Sequence, residues 1–422
     1  MPYKGELPSK EINSYLSTVG LRGFTEGERM YTSKSFSDEL LMKLRYPEQK
    51  VSIKMLDTHL TPVSEFTREK HIGDRAFILE IGGTNIYGAW VQLTGNGPEI
   101  TCDVRSEIPR KIFPDPDAFF SDVMGVVGGI AGIRPIENLG IIFTFPAPIK
   151  DTAMGVDVVS PQKQTKGFFF KDIDRAPLGE QLVDYMLRSG DYRMQEMKNL
   201  VVLNDTPAAL LSTPSKIGGI VGTGYNLAAM IGGRIYNIEC GGASRIPQHH
   251  LAEMVDELTG NKDQLSEKQI SGMYLGMQLG IAIQEMNKLG LTEFPDVNPL
   301  DMKSEVLSDV LTGEWDTVKK FLEGDIDEQA KDSLLSVASR LRDRSAEMVA
   351  IQISTIINTF PQEFPGNSVT IPIEGSIFWK MPEHRSTVTK FLEAYTGKSF
   401  EFPSIEHAGA LGAAAAAIGL RG

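Results

Sequence analysis

A chain of 422 residues is longer than the ~250–300 that one hydrophobic core sustains, so two domains are expected. Its 41% hydrophobic and 23% charged residues are globular proportions, and a net charge of −13 excludes nucleic acid and anionic membrane surfaces as expected partners. Two cysteines, Cys102 and Cys240, exclude a disulfide framework and a Cys-rich zinc cluster.

No apolar run is long enough for a transmembrane helix, and residues 1–10 lack the apolar stretch of a secretory signal, so a cytoplasmic location is expected. Residues 1–50 read as polar helices. Within them 36–44 is the clearest amphipathic piece, with Ser37 as its expected N-cap. Residues 51–110 read as strands, and 77–91 as strand–turn–strand around Gly82-Gly83. A helix is expected over 114–132, then an apolar strand over 139–145 stopped by Pro146 and Pro148. Residues 151–170 read as a loop. A helix over 178–189 and a strand over 200–203 follow, and a further helix is expected from near Thr206, where Pro207 suits a first turn.

Residues 217–238 repeat the strand–glycine turn–strand design about 140 residues after its first occurrence. The adjacent His249 and His250 lack metal-site spacing and read as surface residues. Helical spacing dominates 266–289 and 325–359, where Leu334, Leu335, Val337, Leu341, Met348 and Ile351 form one stripe. A strand over 368–373 precedes Glu374-Gly375-Ser376. The alanine-rich 409–420 reads as a packed helix in which Gly412 permits close contact.

Both glycine turns follow buried-strand patterns and offer backbone N–H groups that suit phosphate oxygens. The first is Gly82, Gly83, Thr84 and Asn85; the second is Gly222, Thr223 and Gly224. Singly, each also fits an ordinary hairpin. Between them Asn204-Asp205-Thr206 ends a third apolar strand, where Asp205 is either a general base or a helix N-cap. Glu80 stands among apolar neighbours, a costly place for a carboxylate without a partner such as hydrated Mg²⁺. Asn237 and Glu239 follow a strand two residues apart and share a face. Glu267 reads as a first-turn helix residue or as a hydroxyl ligand, and Lys166 as a phosphate partner or an exposed loop lysine. The chain has neither a P-loop nor the protein-kinase motifs. Two phosphate-holding turns and one candidate base point to phosphoryl transfer.

In matching order, these segments resemble the hexokinase family over about Val51 to Ala415. Ser52-Ile53-Lys54-Met55-Leu56-Asp57-Thr58 resembles the family's lead-in, and Ile81-Gly82-Gly83-Thr84-Asn85 its first phosphate turn. Phe143-Thr144-Phe145-Pro146 is similar to its Phe-Ser-Phe-Pro, and Thr165-Lys166-Gly167-Phe168 to part of its Trp-Thr-Lys-Gly-Phe. Asn204-Asp205-Thr206 matches its Asn-Asp-Thr, the run from Ile220 to Asn226 its second phosphate turn, and Glu374-Gly375-Ser376 its adenosine motif. The helix start at Glu267-Lys268-Gln269-Ile270 resembles that of eukaryotic-type hexokinases. Glu80 replaces the family's Asp, Tyr87 its Arg, Gln164 and Cys240 its Trp residues, and Glu374 its Asp.

The resemblance implies a two-domain α/β, actin-like ATPase (ribonuclease H-like) fold with the active-site cleft between the domains. One domain would hold 60–205 plus 410–422, the other 1–59 plus 206–409. It implies transfer of the ATP γ-phosphoryl group to the 6-hydroxyl of a hexose, glucose foremost. Asp205 and Lys166 would be catalytic. Thr144, Thr165, Lys166, Asn204, Asp205, Asn226, Asn237, Glu239 and Glu267 would bind sugar. Gly82, Gly83, Thr84, Asn85, Gly222, Thr223, Gly224, Gly375 and Ser376 would line ATP, and Glu80 and Asp205 would hold Mg²⁺ through water. The substitutions keep open a sugar sensor with little catalysis, or a non-glucose kinase of the same fold.

Overall fold

The computed structural model describes residues 10–60, 69–82, 85–107, 112–130, 132, 134–143, 149–158, 169–170, 177–295, 297–323 and 326–419. The chain opens with α1 (Lys10–Thr18) and α2 (Glu26–Arg45). The cap of α2 is Thr25, not Ser37. Thr25 Oγ1 accepts from Glu28 N at 3.2 Å and Glu28 Oε2 accepts from Thr25 N at 2.8 Å, a closed capping box. Ser37 lies within the helix, where its hydroxyl accepts from Thr359 Oγ1.

Strands β1 (Leu56–Asp57), β2 (Arg75–Ile81), β3 (Asn85–Thr94), β4 (Gly97–Glu107) and β5 (Ile112–Phe113) lead to α3 (Pro116–Ile130) and β6 (Asn138–Phe143). The stretch read as a loop holds a hairpin instead, β7 (Ile149–Thr152) and β8 (Gly155–Val158), before β9 (Phe169–Phe170). Its apolar signal is interrupted because Asp157, wholly buried, accepts from the N–H groups of Val158, Gly179 and Glu180. Two of those donors open α4 (Leu178–Arg188), so the carboxylate serves a helix terminus.

The chain continues through β10 (Asn199–Leu203), α5 (Asp205–Leu211), β11 (Ile217–Val221), β12 (Tyr225–Ile231) and β13 (Arg234–Asn237). Helices follow: α6 (His250–Thr259), α7 (Leu265–Lys268), α8 (Gly272–Lys288), α9 (Ser304–Thr312), α10 (Trp315–Leu322) and α11 (Glu328–Thr359). The last elements are β14 (Ser368–Thr370), β15 (Ile373–Glu374), α12 (Ser376–Lys380), α13 (His384–Thr396), β16 (Ser399–Glu401) and α14 (Ala408–Gly419). No helix among the described residues is long and apolar enough to cross a membrane.

Seven strands form one sheet in the order β4-β3-β2-β6-β10-β8-β7, and five form another in the order β1-β13-β12-β11-β15. In the first, β2, β6 and β10 are parallel; in the second, β11 and β15 are parallel. Each sheet has its own apolar cluster. A third cluster joins them, running from Ile78, Ile142 and Leu203 through α5 and α14 to Ala228, Met230 and Ile235. Within it α14 and α5 touch backbone to backbone. A Cβ on Gly412 would lie 1.9 Å from Ala208 O, so no side chain fits there.

His249 is not a surface residue: it is 2% exposed, and His384 is wholly buried. Burial pushes both imidazoles down to about 3, so each is neutral in the fold. An unfolded histidine titrates near 6.5, so this contribution is complete above that pH and is lost as pH falls toward 3. Replacing His384 by Asn should therefore flatten the acid-side decline. Between pH 5.5 and 4, urea denaturation should show the slope of unfolding free energy reduced by about 1.4 kcal/mol per pH unit. An unchanged slope would contradict a neutral buried imidazole.

Candidate active site

The parallel strands bring their C-terminal ends to common edges, where open α/β sheets hold ligands. Glu80 is registered with Ile142, Ile81 with Phe143, and Ile142 with Leu203, so Glu80, Gly82, Asn204 and Asp205 line one edge. In the other sheet Ile220 is registered with Glu374, which sets Gly222 beside Gly375. Gly375 has φ 117°, and a Cβ there would fall 2.3 Å from Val221 O. A Cβ on Gly222 would lie 3.0 Å from Gly375 Cα. The turn is closed by Gly222 N donating to Gly224 O at 2.9 Å. It is pinned from behind by Gly272 N donating to Gly222 O at 2.8 Å, at the start of α8. Thr223 and Ser376 are both exposed at this edge. In the first turn Gly82 N donates to Asn85 O at 3.0 Å.

Asn204, not Asp205, caps α5. Its Oδ1 accepts from Thr206 N at 3.3 Å and its Nδ2 donates to Phe143 O at 3.4 Å. At 7% exposure Asn204 is part of the wall beside Asp205. Asp205 is thereby the first residue of α5, half-buried, with Oδ1 accepting from Thr206 Oγ1 at 3.2 Å. Beside it, Glu374 Oε1 accepts from Gly409 N at 2.8 Å, at the N-terminus of α14. Burial holds the Glu374 carboxyl above the usual carboxylate range; the Asp205 charge adds to this and His407 opposes it. The Tyr87 ring stacks on His407 with centroids 4.9 Å apart and planes at 5°. Burial raises the Tyr87 phenol well above its ordinary range, and the charges of Asp103 and Glu80 add to that. Asp205, Glu374, His407, Tyr87 and Glu80 thus form one linked group.

A second group gathers where β12 begins. Asn226 Nδ2 donates to Asn237 Oδ1 at 2.6 Å and to Glu239 Oε1 at 3.0 Å, and Asn237 Nδ2 donates to Glu239 Oε1 at 2.9 Å. Asn237 is 2% exposed, and its amide orients Glu239. Strand alternation is not what brings the pair together. β13 ends at Asn237, and Glu239 turns back in the left-handed region at φ 56°. Lys54 Nζ lies 3.9 Å from Glu239 Oε2. Glu267, in α7, accepts from Tyr225 N at 3.1 Å and packs against Gly224 and Gly241, which links it to the second glycine turn. Cys240 is fully buried behind Asn226, and burial holds its thiol well above the ordinary range.

Lys54, Gly241 and His407 are site neighbours that sequence reasoning missed. Lys54 falls inside the resembling lead-in, which is the one signal that pointed to it. Gly83, Thr84, Thr144, Gln164, Thr165 and Lys166 lie outside the described residues. Among the described residues no group of three or more His, Cys, Asp or Glu is placed to hold a metal. The carboxylates Glu80 and Asp205 are hard oxygen donors, too few for a closed cage. They fit Mg²⁺ carried on phosphates and water.

Two family models, both described as Hexokinase, match residues 25–214 and 216–419. The chain belongs to the hexokinase family. Human Hexokinase-2 is 23% identical over 385 residues, which cover 80% of this chain and 40% of that protein. The chain therefore spans about two fifths of that relative's length. A crystal structure of hexokinase superposes with TM-score 0.81 at 22% identity, covering 98% of this chain and 100% of that one. The hexokinase from Schistosoma mansoni complexed with glucose gives TM-score 0.77 at 19% identity over 96% and 98%. These likenesses establish the actin-like ATPase fold of the hexokinase family.

Gly375→Ala tests the contact between the turns. The added methyl should cost about 1–3 kcal/mol of unfolding free energy by urea denaturation. A variant as stable as the parent would show that the turns have room to separate.

Proposed function

We propose that the protein is an ATP-dependent hexokinase, transferring the γ-phosphoryl group of ATP to the 6-hydroxyl of a hexose, with glucose as the first candidate. The reading rests above all on Asp205, half-buried at a strand end beside the glycine turns of both sheets. The hexose binds first, between a lobe of 60–205 plus 410–422 and a lobe of 1–59 plus 206–409. Closure then excludes water and assembles the site around the acceptor hydroxyl.

Glu239 and Glu267 accept hydrogen bonds from sugar hydroxyls, and Asn226 and Asn237 hold Glu239 in orientation. Thr144, Thr165 and Lys166 complete the sugar subsite. Asp205 takes the proton of the 6-hydroxyl as that oxygen attacks in line. Backbone groups of Gly82, Gly83, Thr84, Asn85, Gly222, Thr223 and Gly224 receive the phosphates, with Gly375 and Ser376 against the nucleoside. Lys166 offsets charge on the transferring group. Mg²⁺, held through water by Glu80 and Asp205, neutralises phosphate charge when bound. A cytoplasmic setting supplies the ATP.

A sugar sensor of the same fold is the second reading. It is favoured by Tyr87, which stands where the family carries Arg and is stacked on His407, so this position offers phosphate no cation. Asp205→Ala separates the two. An enzyme should lose at least about 10²-fold in kcat with little change in hexose affinity, measured by coupled assay and calorimetry. Turnover close to the parent's would remove Asp205 from the base role.

A further inference from the structure

α2 carries a buried carboxylate that the proposed reaction leaves unused. Glu39 is 6% exposed, on the inward face of the helix. Its Oε2 accepts from Ser52 Oγ at 2.5 Å and from Ile53 N at 3.2 Å. Ser52 Oγ in turn accepts from Ser244 N at 3.1 Å. One carboxylate thereby ties residues 52–55 to α2, and the shared hydroxyl ties them to the loop 239–244. Stability alone does not call for this arrangement, because apolar groups in place of both partners of a buried hydrogen bond can be neutral.

The two tied segments meet at Glu239. Lys54 N and Met55 N both donate to Ile238 O, at 3.2 and 3.0 Å, and Gly242 N donates to Glu239 O at 3.2 Å. A Cβ on Gly242 would lie 2.7 Å from Ser52 O, so segment and loop run in contact. Met55 and Glu239 both lie in the left-handed region, at φ 48° and 56°. Non-glycine residues keep that conformation where their surroundings fix it. The side chains then meet on the same contact. Glu239 Oε1 takes the Asn226 and Asn237 amides, and Lys54 Nζ stands 3.9 Å from Oε2.

We propose that Glu39 is a positioning residue for hexose binding, acting through Ser52 on Lys54 and on the turn that carries Glu239. This rests on the reading of Glu239 as a hexose ligand. Glu39 itself touches no substrate. The asparagines orient Glu239 from its own sheet, whereas Glu39 holds the facing segment from α2. With that hold released, Lys54 and the backbone N–H groups on Ile238 O shift together, and the carboxylate loses its fixed aim. The consequence falls on hexose affinity and leaves proton transfer at Asp205 in place.

Calorimetric titration of the full chain with D-glucose, D-mannose and D-fructose, together with a coupled assay of ADP release, tests this. In Glu39→Ala and in Ser52→Ala the affinity for the hexose that binds should fall at least fivefold. Hexose KM should rise in step, with kcat and the KM for ATP within twofold of the parent's. Glu39→Gln keeps an oxygen that accepts from Ser52 and Ile53, so it should return affinity to within twofold. Because the path runs through Lys54, adding Lys54→Met to Glu39→Ala should cost less than twofold beyond the worse single variant. If Glu39→Ala fails to fold, as read by circular dichroism, Ser52→Ala carries the test, since it removes only a hydroxyl. Parental affinity in Ser52→Ala, equal losses in kcat and affinity, or additive losses in the double variant would overturn the positioning role alone. A parent that binds none of the three hexoses would instead overturn the reading of Glu239, and the positioning role with it.

Discussion

At Gly412 the backbone of α14 meets the backbone of α5, where a Cβ would come within 1.9 Å of Ala208 O. Both helices begin at the proposed reaction centre. α5 starts with Asp205, and the first turn of α14 gives Gly409 N–H to Glu374. Alanine and glycine along α14 hold these two starts side by side, and the apolar cluster around them reaches both sheets. A bulkier residue at this contact would move the candidate base relative to the glycine turns. The geometry of the site thus descends from a small-residue helix contact rather than from any polar interaction within it.

The polar groups are arranged on that frame in two manners. Around Glu239 two asparagines are fully engaged with protein, so the carboxylate is oriented before any ligand arrives. Around Asp205, Glu374 is a second carboxylate close enough to feel its charge, and it is neutralised in part by a helix N-terminus and His407. A site of the first kind selects by shape and hydrogen bonds. A site of the second kind concentrates charge where a proton must move.

Much of this was legible in the sequence because its signals are local. Apolar strands ending in glycine turns were visible at 77–91 and 217–238, and they are β2–β3 and β11–β12. Gly412 also reads correctly from its alanine-rich context, since only close packing makes a glycine useful in such a helix. The misreadings arose where a distant partner decides the outcome. Asp157 gives a buried strand a polar look because it serves α4, more than twenty residues away in sequence. His249 is polar in sequence yet 2% exposed, because α6 packs its first turn against the end of α1. Asn204 and Asn237 were named with the site, but their bonds to Phe143 and Asn226 join separate segments and no local pattern records them.

Release of ADP from Mg-ATP, followed with and without glucose, fructose or mannose, addresses the joined action of the two polar groups most directly. Release that depends on hexose is expected, because the proposed reading assigns Glu239 and Glu267 to the sugar and Asp205 to its proton within one site. Release at the same rate without sugar, or hexose binding with no release, would contradict it.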